Sequence, residues 1–205
     1  MESLGITGYT LDWVKAFLSD RQQCVRVEDK LSNWINVISG IPQGSVLGPI
    51  LFVIFINDMP EIVDSMCQLF ADDAKIFRSV HIRDEASNLK LQKDLDNVYQ
   101  WSQKWQLPFN TSKCKVLHLG HNNPCHQYKM NGQKLQNVED EKDLGVVIDN
   151  ELKFHKHTSA VAKKANSKLG LIKKSFVCLD ESTLPTLYTS LVCSHLEYGN
   201  VTLQS

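Results

Sequence analysis

The sequence predicts an α+β fold in two parts, with strands and helices mixed over residues 1–149 and an all-helical region over residues 150–205. Three observations carry that prediction. Short runs of period-two alternation, bounded by Gly, Asn or Asp, recur as far as Ile148, which is the pattern of hairpins. Apolar spacings of three and four, which belong to helices, lie between them. After Asn150 only the helical spacing remains.

Leu11, Val14, Phe17 and Leu18 repeat at helical spacing behind Gly5 and Gly8, so a short helix starts near Thr10. Residues 24–27 alternate, Glu28-Asp29-Lys30 can turn, and residues 34–37 return the chain, which makes a hairpin. Residues 46–56 are apolar on every side. Periodicity alone allows a buried strand or a buried helix there, and the length of the run behind Pro42-Gln43-Gly44-Ser45 favours the helix. Residues 67–71 and 74–77 read as strands joined by a tight turn at Asp72-Asp73, which puts both acids at a hairpin tip.

Leu91, Leu95, Val98, Trp101 and Trp105 form the apolar stripe of a helix that Pro108 closes. Strand-like pieces follow at 114–119, at 127–135 with Asn131-Gly132 as a turn, and at 144–148. In the tail, Ala162, Ala165, Leu169, Ile172 and Phe176 mark one helix, and Leu184, Leu187, Leu191 and His195 mark another. The change of character near Asp149 is the expected domain boundary.

With 205 residues, 42% hydrophobic and 22% charged, the chain can bury a sizeable core as a soluble globular protein. A net charge of -1 would disfavour a nucleic-acid partner if charge were spread evenly, but residues 152–179 hold seven lysines and no acid. The six cysteines (Cys24, Cys67, Cys114, Cys125, Cys178, Cys193) form no CxxC pair, which predicts a reducing, intracellular compartment. No basic segment followed by an apolar one opens the chain, and 46–56 is too short to span a bilayer, so neither secretion nor membrane insertion is expected.

Two stretches suggest chemistry: Ser39-Gly40-Ile41-Pro42-Gln43-Gly44-Ser45, and Phe70-Ala71-Asp72-Asp73. Adjacent carboxylates repel, and a bound cation is one reason to keep them together; ordinary turn formation by Asp is the other. The glycine-proline loop is either a plain turn before a helix or a place where backbone N–H groups approach a phosphate or sugar. Lys163, Lys164, Lys168 and Lys174 lie off the apolar face of their helix, where they are either solvated or matched to a phosphate backbone. Cys114, His118, His121, Cys125 and His126 are residue types that bind zinc, but their spacing is not that of a zinc framework and 114–119 alternates like a strand.

The order of these motifs resembles the reverse transcriptase domain of non-LTR (LINE-type, jockey-like) retrotransposons. Residues Ser39 to Pro49 look like that family's nucleotide-site loop, Phe70-Ala71-Asp72-Asp73 like its catalytic hairpin, and Trp105-Gln106-Leu107 through Asn110 and Lys113 like its following helix-loop-strand motif. Asp143-Leu144-Gly145-Val146 is similar to its primer-grip turn, and Leu187-Tyr188 to Leu196-Glu197-Tyr198 to its thumb. The resemblance covers nearly the full chain. It implies partial fingers and an incomplete polymerase palm over residues 1–149, an antiparallel sheet with packed helices, followed by a helical thumb-like region over residues 150–205.

Carried over by position, Asp72 would ligand two Mg²⁺ ions and Asp73 would support the site. Pro42, Gln43 and Gly44 would line the incoming dNTP. Lys113 would stand near the pyrophosphate leaving group, where a cation offsets developing charge. Leu144 and Gly145 would position the primer end, although a buried strand after a turn explains them equally well. The lysine face would meet the RNA template and DNA primer.

Asp12-Trp13-Val14-Lys15-Ala16-Phe17 mimics the family's first catalytic motif, an Asp on a strand, but its continuation through Gln23 resembles the helix that follows that motif. The true motif is therefore expected upstream of Met1. Without its carboxylate, Mg²⁺ would bind weakly and this chain alone would show little or no polymerase activity. The missing strand would also leave an exposed palm edge, with marginal stability or self-association as the consequence. Two alternatives remain open: a non-catalytic nucleic-acid binder, and an interaction domain whose acids are only turn residues.

Overall fold

The computed structural model describes residues 1–81, 85–176 and 180–200; Cys178 and the end of the expected helical region, residues 201–205, lie outside them. Helices and strands are mixed throughout, as an α+β fold requires. Contacts divide the chain into two compact units, Met1–Arg78 and Ser79–Ser205. The change of sequence character near Asp149 falls inside the second unit, where a strand and a helix pack on each other.

In the first unit, helix α1 (Gly8–Leu18) begins a little ahead of Thr10 and buries Val14. Asp12 therefore sits on a helix, not on a strand. The predicted hairpin forms as two nested pairs, β1 (Gln22–Gln23) with β4 (Ile35–Asn36), and β2 (Arg26–Val27) with β3 (Lys30–Leu31). Its tip is Glu28-Asp29, with Glu28 left-handed at φ 53°.

The apolar run becomes helix α2 (Leu47–Ile56), resolving the helix-or-strand ambiguity, but its burial departs from expectation. Only Gly48, Leu51 and Ile56 are buried, while Ile50 and Val53 each keep 52% of their surface in solvent. An all-round apolar helix needs cover on all sides, and within this unit α2 has it on one. The acidic hairpin follows as β5 (Met66–Phe70) and β6 (Asp73–Phe77), antiparallel and joined to no third strand among the described residues.

The second unit opens with α3 (Glu85–Lys104), which buries Val98 and Trp101. Pro108 does not close this helix. The chain stops earlier, at Gln106 in the left-handed region (φ 54°), where the Leu107 N–H donates to the Ser102 carbonyl and the Gln106 N–H to that of Gln103. That double bond is a Schellman termination, and proline commonly follows one. Tyr128, Met130 and Leu135 pack with Leu91, Leu95, Tyr99, Phe109, Cys114 and Val116 into one core cluster.

The expected Asn131-Gly132 turn joins β8 (Lys129–Met130) to β9 (Gln133–Lys134) with φ of 52° and 72°. Both central residues are thus left-handed, the requirement of a two-residue hairpin loop. Strand β7 (Lys115–Leu117) pairs with β10 (Gln136–Val138) in parallel, which departs from a purely antiparallel sheet. Strands β11 (Asp140–Asp143) and β12 (Val146–Asp149) make a hairpin, so Leu144 and Gly145 are its turn and the expected strand starts only at Val146.

Helix α4 (His155–Ser175) buries His157, Ala165 and Ile172. It packs on a helical run made of α5 (Thr183–Tyr188), a π-helical stretch (Thr189–Cys193) and α6 (Ser194–Leu196). Ala165, Ile172 and Val192 form the core there, with Leu169 and Leu187 against them. The spacing Leu184, Leu187, Leu191, His195 predicts Leu191 inside, yet Val192 is buried and Leu191 exposed. The π-turn accommodates one extra residue and moves the buried face on by one position.

Candidate functional site

Alternation brings the acidic hairpin about. Met66 to Phe70 and Asp73 to Phe77 pair residue for residue, and the last pair, Phe70 with Asp73, leaves Ala71-Asp72 as a two-residue loop. Asp72 is therefore at the tip, but Asp73 is not: it is the first residue of the returning strand, so the turn falls one residue earlier than the expected Asp72-Asp73. Ala71 takes a left-handed φ of 51°, a conformation that costs a residue with a Cβ about 1 kcal/mol. Both carboxylates are exposed, and no hydrogen bond or ion pair holds either side chain among the described residues.

The Ser39–Ser45 loop is held from both ends. Arg21 reaches from the end of α1, donating through Nε to the Leu18 carbonyl at 3.0 Å and through its terminal nitrogen to the Gly40 carbonyl. At the other end Ser45 Oγ donates to the Pro42 carbonyl at 2.8 Å and accepts the Gly48 N–H at 3.0 Å, which satisfies one of the free donors of α2. A Cβ on Gly48 would come within 3.0 Å of the Pro42 oxygen, so glycine is what lets the helix start this close to the loop. Gln43 and Gly44 stand exposed at the loop's apex and Pro42 is half-buried. No hydrogen bond among the described residues joins this loop to Asp72 or Asp73.

The remaining predicted residues belong to the second unit. Lys113 is exposed on the turn after α3, its N–H donating to the Asn110 carbonyl at 2.9 Å. Leu144 (φ 45°) and Gly145 (φ 91°) form the β11–β12 turn, with Leu144 exposed. The Tyr198 hydroxyl donates to the Leu144 carbonyl at 2.5 Å. Two residues on, the Val147 N–H donates to Nδ1 of His157 at 3.3 Å. His157 is 2% exposed, and among the described residues its Nε2 has no partner.

On α4, Lys163, Lys164 and Lys174 are exposed and Lys168 half-buried. Of the seven lysines in this stretch, Lys153 pairs with Glu151 and Lys156 with Asp140. Lys163, Lys164, Lys168, Lys173 and Lys174 keep uncompensated charge among the described residues. Burial lowers the pKa of His195, with the charges of Lys164 and Lys168 acting the same way, which puts this imidazole in the field of the lysine face. His157, His195 and Tyr198 were missed as partners of these features, because no local pattern ties a residue to a partner ten or more positions away.

Metal-ligand geometry is incomplete. Among the described residues no three His, Cys, Asp or Glu side chains converge, and this includes Cys114, His118, His121, Cys125 and His126. Two carboxylates, those of Asp72 and Asp73, are fewer than the set that two octahedral Mg²⁺ ions need. Burial raises the pKa of Cys67, within β5, and of Cys114, keeping both thiols protonated. No helix among the described residues is long and apolar enough to cross a membrane.

Comparison with known proteins meets this geometry. The chain is 29% identical over 199 residues to the RNA-directed DNA polymerase from mobile element jockey of Drosophila melanogaster, covering 91% of the chain and 22% of that protein. It is 29% identical over 206 residues to a probable RNA-directed DNA polymerase from transposon X-element of the same species, and 30% identical over 165 residues to the jockey polymerase of Drosophila funebris. These alignments cover 91% and 76% of the chain, and 21% and 18% of the relatives, so the chain spans about a fifth of the length of the curated relatives it matches. No solved structure matches it. The model of reverse transcriptases (RNA-dependent DNA polymerases) matches residues 2–171, a span that holds the acidic hairpin, the glycine-proline loop and the Leu144-Gly145 turn; the chain belongs to that family.

Proposed function

We propose that this chain forms part of the RNA-directed DNA polymerase of a non-LTR mobile element, with residues 1–149 contributing partial fingers and palm and residues 150–205 a thumb-like region. The observation that carries it is the two-residue turn with Asp72 at its tip and Asp73 beside it, both carboxylates open to solvent, in a chain whose family match spans residues 2–171. Asp72 would bind the metal and Asp73 support it. Mg²⁺ in that place would polarise a triphosphate and stabilise its leaving group. Pro42, Gln43 and Gly44 would line the dNTP, and Lys113 would offset charge on pyrophosphate.

Leu144 and Gly145 would contact the primer end, and Lys163, Lys164, Lys168 and Lys174 the backbone of template and primer. Because the hairpin supplies only half a two-ion ligand set, this chain alone is expected to be inactive. Primer extension with an RNA template, a DNA primer and dNTPs tests that. Extension that Asp72→Asn abolishes would overturn the inactivity and call for Asp12 or Asp58 to complete the site.

The uncompensated lysines favour a second reading, a nucleic-acid-binding remnant without catalysis. It predicts salt-dependent binding to single-stranded RNA that replacing Lys163, Lys164 and Lys168 by Gln weakens, flattening the salt slope by about one per lysine, while Asp72→Asn leaves it unchanged.

A further inference from the structure

We infer that Tyr198 is the positioning residue of the Leu144-Gly145 turn, and that Gly145, which its φ of 91° already favours, also leaves the room in which the Tyr198 ring sits. The inference rests on the proposed role of this turn as a primer contact only where it concerns nucleic acid; the clamp itself rests on geometry. Two observations on the same side chain meet at the turn. The Tyr198 hydroxyl donates to the Leu144 carbonyl, 54 residues earlier in the chain. A Cβ built on Gly145 would fall 2.7 Å from Cε1 and 2.9 Å from the hydroxyl oxygen of Tyr198, closer than carbon atoms approach without displacement.

The ring thus occupies the space that any other residue at 145 would need, and the hydroxyl anchors the carbonyl next to it. On the far side, the Val147 N–H is bonded to buried His157 of α4. The turn is held by the end of the helical run through Tyr198, and its outgoing strand by the first turn of the lysine-bearing helix through His157. Leu144 is left as the exposed side chain on a fixed loop. Tyr198 thereby sets where that loop stands relative to the lysines of α4, and a strand of nucleic acid touching both would read that spacing.

A double-mutant cycle on the full chain tests the clamp. Gly145→Ala should lower Tm by about 5 °C or more in the wild-type background, because strain at positive φ adds to the clash with the ring. In a Tyr198→Ala background only the φ strain remains, so the same substitution should cost distinctly less. Equal costs in the two backgrounds would overturn the inference. Tyr198→Phe, which keeps the ring, should fold with little loss of Tm.

Fluorescence anisotropy then reads the functional part. Tyr198→Phe should weaken binding of an RNA–DNA primer–template by about threefold to tenfold, the worth of one hydrogen bond, and leave single-stranded RNA binding by the lysines unchanged. Coupling in the cycle with unchanged primer–template affinity would keep the clamp and remove the primer-contact reading. A loss shared equally by both nucleic acids would mark Tyr198 as part of the general binding surface and overturn its positioning role.

Discussion

Asp149 and Asp180 each gather backbone N–H groups at the entrance to a helix. Asp149 accepts from Lys153, Phe154 and Glu151 ahead of α4, bonds that lower its pKa, the one from Lys153 first. Asp180 accepts from the backbone N–H groups of Thr183 and Ser182 and from the Ser182 hydroxyl, and its pKa is pulled from the ordinary 3.8 to about 2, chiefly by the Thr183 N–H. A depressed carboxyl stabilises the folded state above the unfolded pKa and loses that contribution as pH falls through the folded one. Far-UV circular dichroism on acidification should therefore show helix loss steepening between about pH 4 and pH 2, and Asp180→Ala should flatten that slope. At this scale the sequence was informative about residue type and silent about partners. The two aspartates of the acidic turn were legible from alternation on either side, but only register shows that Asp73 begins the strand while Ala71 carries the strained φ.

Among elements, hairpins were the most legible. Asn131-Gly132 and the acidic turn announce themselves because two-residue loops demand particular backbone angles and strand alternation frames them. Helix ends were less so. Pro108 was the visible stop signal for α3, whereas the chain ends the helix at Gln106, a residue with no intrinsic taste for φ 54°. Gln106→Gly should accordingly stabilise the second unit by about 1 kcal/mol, read as a higher denaturation midpoint with an unchanged m-value. The parallel pairing of β7 with β10 was illegible, since the hairpin β8–β9 between them sets it and no local pattern encodes a parallel partner. The buried face after Tyr188 was misjudged for a related reason: helical periodicity assumes a constant number of residues per turn, and the π-turn changes that number.

Over the whole molecule, the apolar content led to an expectation of a well-covered core, yet the first unit leaves much of it outside. Ile38 and Tyr9 are each 96% exposed and Val46 86%, together with Ile50, Val53, Met66 and Phe70. Monomeric proteins seldom tolerate such surface, and the β5–β6 hairpin, which meets no third strand among the described residues, adds its outer backbone donors and acceptors to it. Light scattering behind size exclusion should show mass rising with concentration, and Ile50→Asp with Val53→Asp should shift the distribution toward monomer; a single monomeric species at all concentrations would contradict this. Family membership was legible because its motifs are short and contiguous, while the line between compact units was not, because contacts and not composition draw it. The π-helical stretch at Thr189–Cys193 has one further consequence. Excising a single residue there would restore ordinary winding and leave what lies beyond it in register, whereas the same excision inside α4 would swing everything beyond it by about 100° around the axis. With the π-turn shortened Tyr198 would keep its seat on Gly145, so this stretch should accept a one-residue deletion far more readily than α4 does.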